Sequence, residues 1–316
     1  MCIRDRTYRS QRRGGRGLQG AGAKEEDFVE NIFVASTHDH ILFFSDKGKC
    51  YWLKVHEIPP GGRASRGRAI VNMLGTDPGE RIKAFVSVKN FDNDHNIIMA
   101  TKNGKIKKTS LSAYSKPRKG GIYAIKITDG DELIEARITN GENDIILGTR
   151  EGKSIRFPET DARPQGRNTQ GVTGIKLSSK DDYVVGMVVV RREGTILVAT
   201  EKGFGKRTDV MAFRVQKRAG MGVMAMRTNE KVGKMVAIME VVDSDDLMVI
   251  TDRGVLIRQP IEKIRTIGRV TQGVKLIKLD EGAKISSLSR VIHVEEDGEL
   301  EPNENAALKN EENDEG

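Results

Sequence analysis

The stretches RNTQGV (167–172), RAGMGV (218–223) and RVTQGV (269–274) each place an arginine four residues before a glycine and an apolar residue directly after it. Working outward, Arg13 precedes Gly17 and Arg63 precedes Gly67 in the same way, while the remaining repeat has Pro117 at that place and Arg118 one residue later, ahead of Gly121. The six glycines, Gly17, Gly67, Gly121, Gly171, Gly222 and Gly273, are separated by 50, 54, 50, 51 and 51 residues. A period near 50 is the signature of one small sheet per repeat, set side by side or around an axis. A second marker precedes five of the six: FSDKG, ATKNG, GTREG, ATEKG and ITDRG end at Gly48, Gly104, Gly152, Gly203 and Gly254, which lie 19, 17, 19, 19 and 19 residues ahead of the next aligned glycine.

Runs such as ILVAT (196–200), GKSIRF (152–157) and DELIEARIT (131–139) are short, rich in β-branched residues and bounded by turn residues, so they read as strands. The D-K-G, K-N-G, E-K-G and D-R-G tips read as hairpin turns, where positive φ favours glycine. No segment carries a sustained helical stripe. The chain is expected to be all-β, with about four strands per repeat, and most simply a six-bladed propeller-like disc. The second marker belonging to Gly17 would fall before Met1, so the first blade is expected to be incomplete. In a closed disc the last strand, ISSLSRVIHV (285–294), would pair with strands of that first blade; with part of that partner absent, an unpaired edge is expected. The opening MCIRD resembles a translated sequencing adapter, and residues 1–6 are set aside on that ground. The repeat domain then covers 7–294, and 295–316 form a tail.

Of the 316 residues 31% are charged, and no apolar run approaches the roughly 20 residues of a membrane span. Cys2 and Cys50 are the two cysteines, too few for a disulfide framework or a metal cluster, which is compatible with a reducing cytoplasm. The net charge of +8 hides an asymmetry: from Glu295 onward ten acidic residues face one basic residue, Lys309, so residues 1–294 carry +17. The tail is too polar to pack and is expected to be disordered.

A body of that charge with one recurring arginine per blade suits a rim that tracks nucleic acid, because phosphate neutralisation supplies most sequence-independent affinity. The alternative is that each arginine holds loop carbonyls and the excess charge aids solubility. The periodicity favours the first reading, as do the polar loops GGRASRGR (61–68), SKPRKGG (115–121) and QKRAGMG (216–222). So do the hairpin cations Lys105, Lys107, Lys108, Lys153, Arg156, Lys206 and Arg207. The densest basic element is Gln11-Arg12-Arg13-Gly14-Gly15-Arg16-Gly17, where glycines let backbone approach a phosphate closely. The overlapping GRGLQG (15–20) matches G-x-G-x-x-G, but no strand precedes it and no helix pattern follows.

QRRGGRG resembles the gyrase A box, the heptapeptide that separates gyrase A subunits from their topoisomerase IV relatives. STHDHILFFSDKGK, KGGIYAIKITDGDELI, NTQGVTGIKL, GFGKRT and GRVTQGV are similar to successive blades of the C-terminal domain of that family, and the resemblance runs from about Thr7 to Val294. It implies a six-bladed β-pinwheel whose basic rim bends double-stranded DNA with positive handedness, inside a bacterial, cytoplasmic A2B2 enzyme that pairs A and B subunits. The box role then falls on residues 11–17. The rim role of Arg63, Arg66, Arg118, Lys119, Arg167, Arg218 and Arg269 follows from periodicity and loop placement. Strand cleavage and ATP binding belong elsewhere in such an enzyme, where Mg2+ and ATP are used, so no catalytic residue, metal or cofactor is expected here, and the fragment itself is expected to be monomeric. In many family members an acidic tail is thought to tune wrapping; here that role would fall on 295–315, competing for the basic rim as a phosphate mimic.

The tyrosines Tyr8, Tyr51, Tyr114, Tyr123 and Tyr183 read as packing or loop residues, and Trp52 as packing. His38 and His40 read as turn residues around Asp39 at a strand start. Met221, Met224 and Met226 read as core filler. Two rivals remain open: a topoisomerase IV A-subunit domain, and a basic propeller that docks an acidic protein.

Overall fold

The computed structural model describes residues 35–61, 69–191, 194–253 and 255–291. The first described repeat supplies β1 (His40–Ser45), β2 (Lys49–Lys54), a single helical turn α1 (Val71–Leu74) and β3 (Ile82–Val88). Four further repeats each supply a hairpin, a two-residue strand and a long strand. They are β4 (Asn96–Thr101), β5 (Lys105–Ser110), β6 (Ile122–Tyr123) and β7 (Leu133–Thr139); β8 (Asp144–Thr149), β9 (Lys153–Pro158), β10 (Val172–Thr173) and β11 (Val184–Val190). Then follow β12 (Thr195–Thr200), β13 (Phe204–Asp209), β14 (Val223–Met224) and β15 (Met235–Val241); β16 (Asp246–Thr251), β17 (Leu256–Pro260), β18 (Val274–Lys275) and β19 (Ile285–Val291).

Pairing shows how the repeats interlock. The sheets run β3-β1-β2-β6, β7-β4-β5-β10, β11-β8-β9-β14, β15-β12-β13-β18 and β19-β16-β17. Each two-residue strand therefore leaves its own repeat and completes the sheet before it. Directly after it, two successive N–H groups reach the carbonyl of the preceding hairpin tip: Ala124 and Ile125 to Gly48, Gly174 and Ile175 to Gly104, Ala225 and Met226 to Gly152, Leu276 and Ile277 to Gly203. This docking explains the tip glycines more fully than turn geometry does. Gly152 has φ +83, and a Cβ there would lie 2.3 Å from the Met226 carbonyl, so the next repeat needs a bare backbone to close on.

Among the described residues the core is divided between neighbouring sheets. Along β4, Ile97 and Met99 pack with Leu42 and Phe44 of the sheet before, whereas Ile98 and Ala100 pack with Ile145 and Leu147 of the sheet after. The same division recurs at β8, where Ile146 joins Ile196 and Val198, and at β12, where Leu197 joins Leu247 and Val249. Inner strands buried on both faces need unbroken apolar runs, which is why ILVAT reads as one. On the outer face of the first sheet, Ile41 and Phe43 pack with Leu74 of α1.

One expectation is corrected. The described residues form five sheets rather than six blades, the fifth with three strands. The long strand β19 ends at Val291 and pairs with β16 of its own hairpin, and β17 is the sheet edge that lacks a fourth strand among the described residues. The first-blade strands expected beside β19 lie outside the described residues. The adapter-like opening, the segment 11–17, Arg63, Arg66 and the acidic tail all lie outside the described residues.

Candidate nucleic-acid interface

After β5, β9, β13 and β17 the chain makes a 3-10 turn and enters the loop that carries the aligned arginine and glycine. Neighbouring loops are joined by backbone hydrogen bonds: Lys126 N–H to Thr169 O at 2.9 Å, Lys176 N–H to Gly220 O at 2.9 Å, Ala219 N–H to Gly174 O at 2.6 Å and Arg227 N–H to Thr271 O at 3.0 Å. The loops thus form one continuous belt.

The aligned arginines sit on this belt in different ways. Arg118 and Lys119 are exposed, and Arg167 is half-buried. Arg218 donates from Nε to Asp161 O at 3.0 Å and from Nη1 to Thr173 O at 3.0 Å. Arg269 donates from Nη1 to Met224 O at 2.8 Å. The loop-fastening alternative is therefore correct for part of each of these two guanidinium groups, which carry five N–H donors apiece and retain others for an anion. Between the Gly121 and Gly171 loops lies an open cleft of about 430 Å³ lined by Arg118, Gly121, Ile122, Tyr123, Arg167 and Asn168. Tyr123 is 55% exposed there, so of the packing and loop alternatives packing does not apply to it.

The hairpin cations are another correction. Lys107, Lys108, Lys206 and Arg207 are buried and act inside the fold. Lys108 Nζ donates to Glu159 O at 3.0 Å and lies 3.6 Å from its carboxylate, which also accepts from Thr139 Oγ1 and from the N–H groups of Gly141 and Asn143. Arg156 pairs with Asp144 at 2.7 Å and reaches Val210 O at 2.9 Å; Arg207 reaches Ile264 O at 2.7 Å. Trp52, at the equivalent place in β2, donates to Tyr114 O at 2.8 Å. Each of these side chains ties its sheet to the 3-10 turn of the next repeat. Lys105 is half-buried and donates to Thr173 Oγ1 at 3.1 Å, and Lys153 is half-buried. Strand phase carried the warning: Lys107 and Lys206 fall three residues after the tip glycine, the register of Tyr51, Ile155 and Ile257. Met226 is core, but Met221 and Met224 are exposed.

Burial pushes the Lys107 ammonium down to about 7, with the Arg167 charge adding to the effect. Lys206 is pushed down to about 8 by burial and then by Arg269. Burial likewise raises the thiol of Cys50.

Two further periodic positions escaped the sequence reading. Five residues after the aligned glycine stand Lys126, Lys176, Arg227 and Lys278; eight residues before it stand Arg163, Arg214 and Arg265. All seven are exposed. Among the described residues none of their side chains forms a hydrogen bond or ion pair, in contrast to the cations near the hairpin tips. There Glu132 binds Arg81, Lys83 and Lys102, and Glu201 binds Arg150 and Lys284. Counting cations at each offset from the glycine, rather than at one offset, would have found them.

Strand-exchanged sheets carrying a belt of outward cations define a class: a propeller-like repeat domain built to present one basic loop per blade. The chain belongs to the family described as DNA gyrase C-terminal domain, beta-propeller, which it matches over residues 6–36, 39–89, 95–140, 143–191, 194–241 and 245–292. It is 43% identical over 294 residues to the A subunit of DNA gyrase from Salmonella typhimurium (strain LT2), covering 93% of this chain and 33% of that protein, and so spans about a third of the length of the curated relatives it matches. Among solved structures, the C-terminal domain of DNA topoisomerase IV matches with a TM-score of 0.75 at 26% identity, over 81% of this chain and 80% of that one. A DNA gyrase A C-terminal domain matches with a TM-score of 0.72 over 91% of this chain and 94% of that one; at 23% identity it speaks to the fold alone.

Proposed function

We propose that this chain is the DNA-wrapping part of a gyrase A subunit: double-stranded DNA lies along the loop belt and is bent around it with fixed handedness, so that an ATP-dependent A2B2 enzyme in the bacterial cytoplasm passes strands with negative supercoiling. The observation that carries the reading is the set of exposed cations without side-chain partners at equivalent places on consecutive, hydrogen-bonded loops. Bending stiff DNA costs on the order of 1–6 kcal/mol over a site of 20–30 base pairs, and contacts spread along a curved surface are what offset it. Of the rim arginines facing the DNA, Arg218 and Arg269 also hold the belt together, while Arg118 and Arg167 line the cleft between two of its loops. The box, residues 11–17, serves to fix the handedness of the wrap.

A second reading, a topoisomerase IV A-subunit domain, is favoured by the solved structure of that domain. Ligation of nicked plasmid in the presence of the protein separates the two. A positive linking-number shift that disappears when residues 11–17 are replaced supports the gyrase reading. DNA binding with no shift, or a shift indifferent to that replacement, refutes it.

A further inference from the structure

Among the described residues Lys107 and Lys206 are buried cations with no acid beside them. Lys107 is 1% exposed, and its Nζ donates to Ala124 O at 2.6 Å and to the Arg167 carbonyl. Lys206 is 0% exposed, and its Nζ donates to Gly268 O at 2.7 Å, to the Arg269 carbonyl and to Thr271 Oγ1 at 3.1 Å. The charged group that acts on each is the aligned arginine of the same loop, so like charges converge. Burying an ammonium this way is unfavourable unless something anionic arrives. The fold does not require it, because Ile155 and Ile257 occupy the same register in the third and fifth sheets.

Both lysines face the belt. The carbonyls that Lys107 holds belong to the loops flanking the Arg118–Tyr123–Arg167 cleft. The Gly222 loop between the two lysine-backed loops differs. Ile155 lies beneath it, and Arg218 folds onto Asp161 and Thr173, with its own N–H 3.3 Å from the Asp161 carboxylate. A buried charge is screened by salt less than an exposed one, so at equal distance it acts more strongly on an anion at the belt surface.

We propose that the belt grips DNA unevenly: the Arg167 and Arg269 loops, each backed by a buried lysine, are tight phosphate seats in alternate blades, and the Arg218 loop between them is a weak one. This rests on the DNA-binding reading and adds to it a regulation by protons. A phosphate at either seat favours the protonated amine. In the free chain the two amines lose their protons near 7 and 8, so seating DNA above pH 7 takes protons up. Among the described residues the charged group that acts on Lys107 is Arg167, which also acts on the neutral Cys50 and Tyr114; around Lys206 the groups are Arg269 and Thr271.

The test measures affinity of the full chain for a duplex of about 150 base pairs, one persistence length, at pH 7, 8 and 9 and constant ionic strength. Each seat is expected to weaken binding by up to about tenfold per pH unit once its amine deprotonates. Lys206→Met should remove part of that dependence and Lys107→Met plus Lys206→Met all of it; Ile155→Lys should add to it. The Met variants keep every histidine and the α-amino group, so the difference isolates the two lysines. Affinity that is flat from pH 7 to 9, or a pH dependence unchanged in the double Met variant, overturns the seats while leaving DNA binding intact. No binding at any pH overturns the DNA-binding reading itself. Should a Met variant fail to fold, calorimetry of wild-type binding in two buffers of different ionisation enthalpy decides: net proton uptake supports the seats, and none overturns them.

Discussion

Replacing Gly171 by alanine probes the exchange of strands between repeats. Gly171 has φ +77, and an added Cβ would meet Ile106 O at 2.3 Å and Lys107 Cβ at 3.0 Å, against the strand that β10 pairs with. Gly120 has φ +87 and nothing within 4 Å of the position an added methyl would take, so Gly120→Ala carries the backbone strain alone. That strain is about 1–2 kcal/mol in both variants and cancels between them. Relieving the clash at 171 needs a shift of roughly 0.7 Å, which carries an ordinary hydrogen bond beyond 3.5 Å. Losing the two-residue pairing at about 1 kcal/mol per bond leaves Gly171→Ala about 2 kcal/mol worse than Gly120→Ala. For a chain of this size that separates their melting midpoints by roughly 3–4 °C. Circular dichroism melts of both variants under one scan rate check it. Midpoints that coincide within about 1 °C would refute the docking argument.

Lys108→Met should lower stability by about 3 kcal/mol, because it leaves the buried Glu159 carboxylate without its cation, yet leave the salt dependence of DNA binding unchanged. A parallel melt and salt titration of that variant tests both halves. Lys176→Ala and Arg227→Ala should do the opposite: each flattens the slope of log affinity against log salt by about 0.9 while shifting stability by no more than about 0.5 kcal/mol. Stability of the free chain should rise between pH 7 and 9.5. The folded amines of Lys107 and Lys206 titrate near 7 and 8, below their unfolded values, so over this window the unfolded chain binds more protons than the folded one. Urea titrations across the window should show a rise of up to about 1.4 kcal/mol per pH unit per lysine, and a flat or falling profile would count against it.

Much of the fold was legible because its signals are local. The hairpins at Gly48, Gly104, Gly152 and Gly203 occur where the tips were read, and the 196–200, 152–157 and 131–139 runs are β12, β9 and β7 within one or two residues. Strand exchange was not legible: Ile122–Tyr123 or Val172–Thr173 is too short for any periodicity, and pairing with the preceding repeat is a contact across space. The site was legible in its repeat and misread in its members. A lysine in a basic hairpin reads as surface until strand phase places Lys107 and Lys206 in the register of Tyr51 and Ile155. Met224 read as core filler because an apolar side chain does not announce that its strand is a two-residue edge facing outward.

The sequence alone determined the period, the all-β class, the family and the recurrence of one basic loop per repeat, since these depend on residue type and spacing along the chain. Which cations face outward was decided by the tertiary structure. Burial belongs to the packing of one sheet on the next, and only there do Lys108 and Arg207 become fasteners while Lys176 and Arg227 stay free to meet an anion.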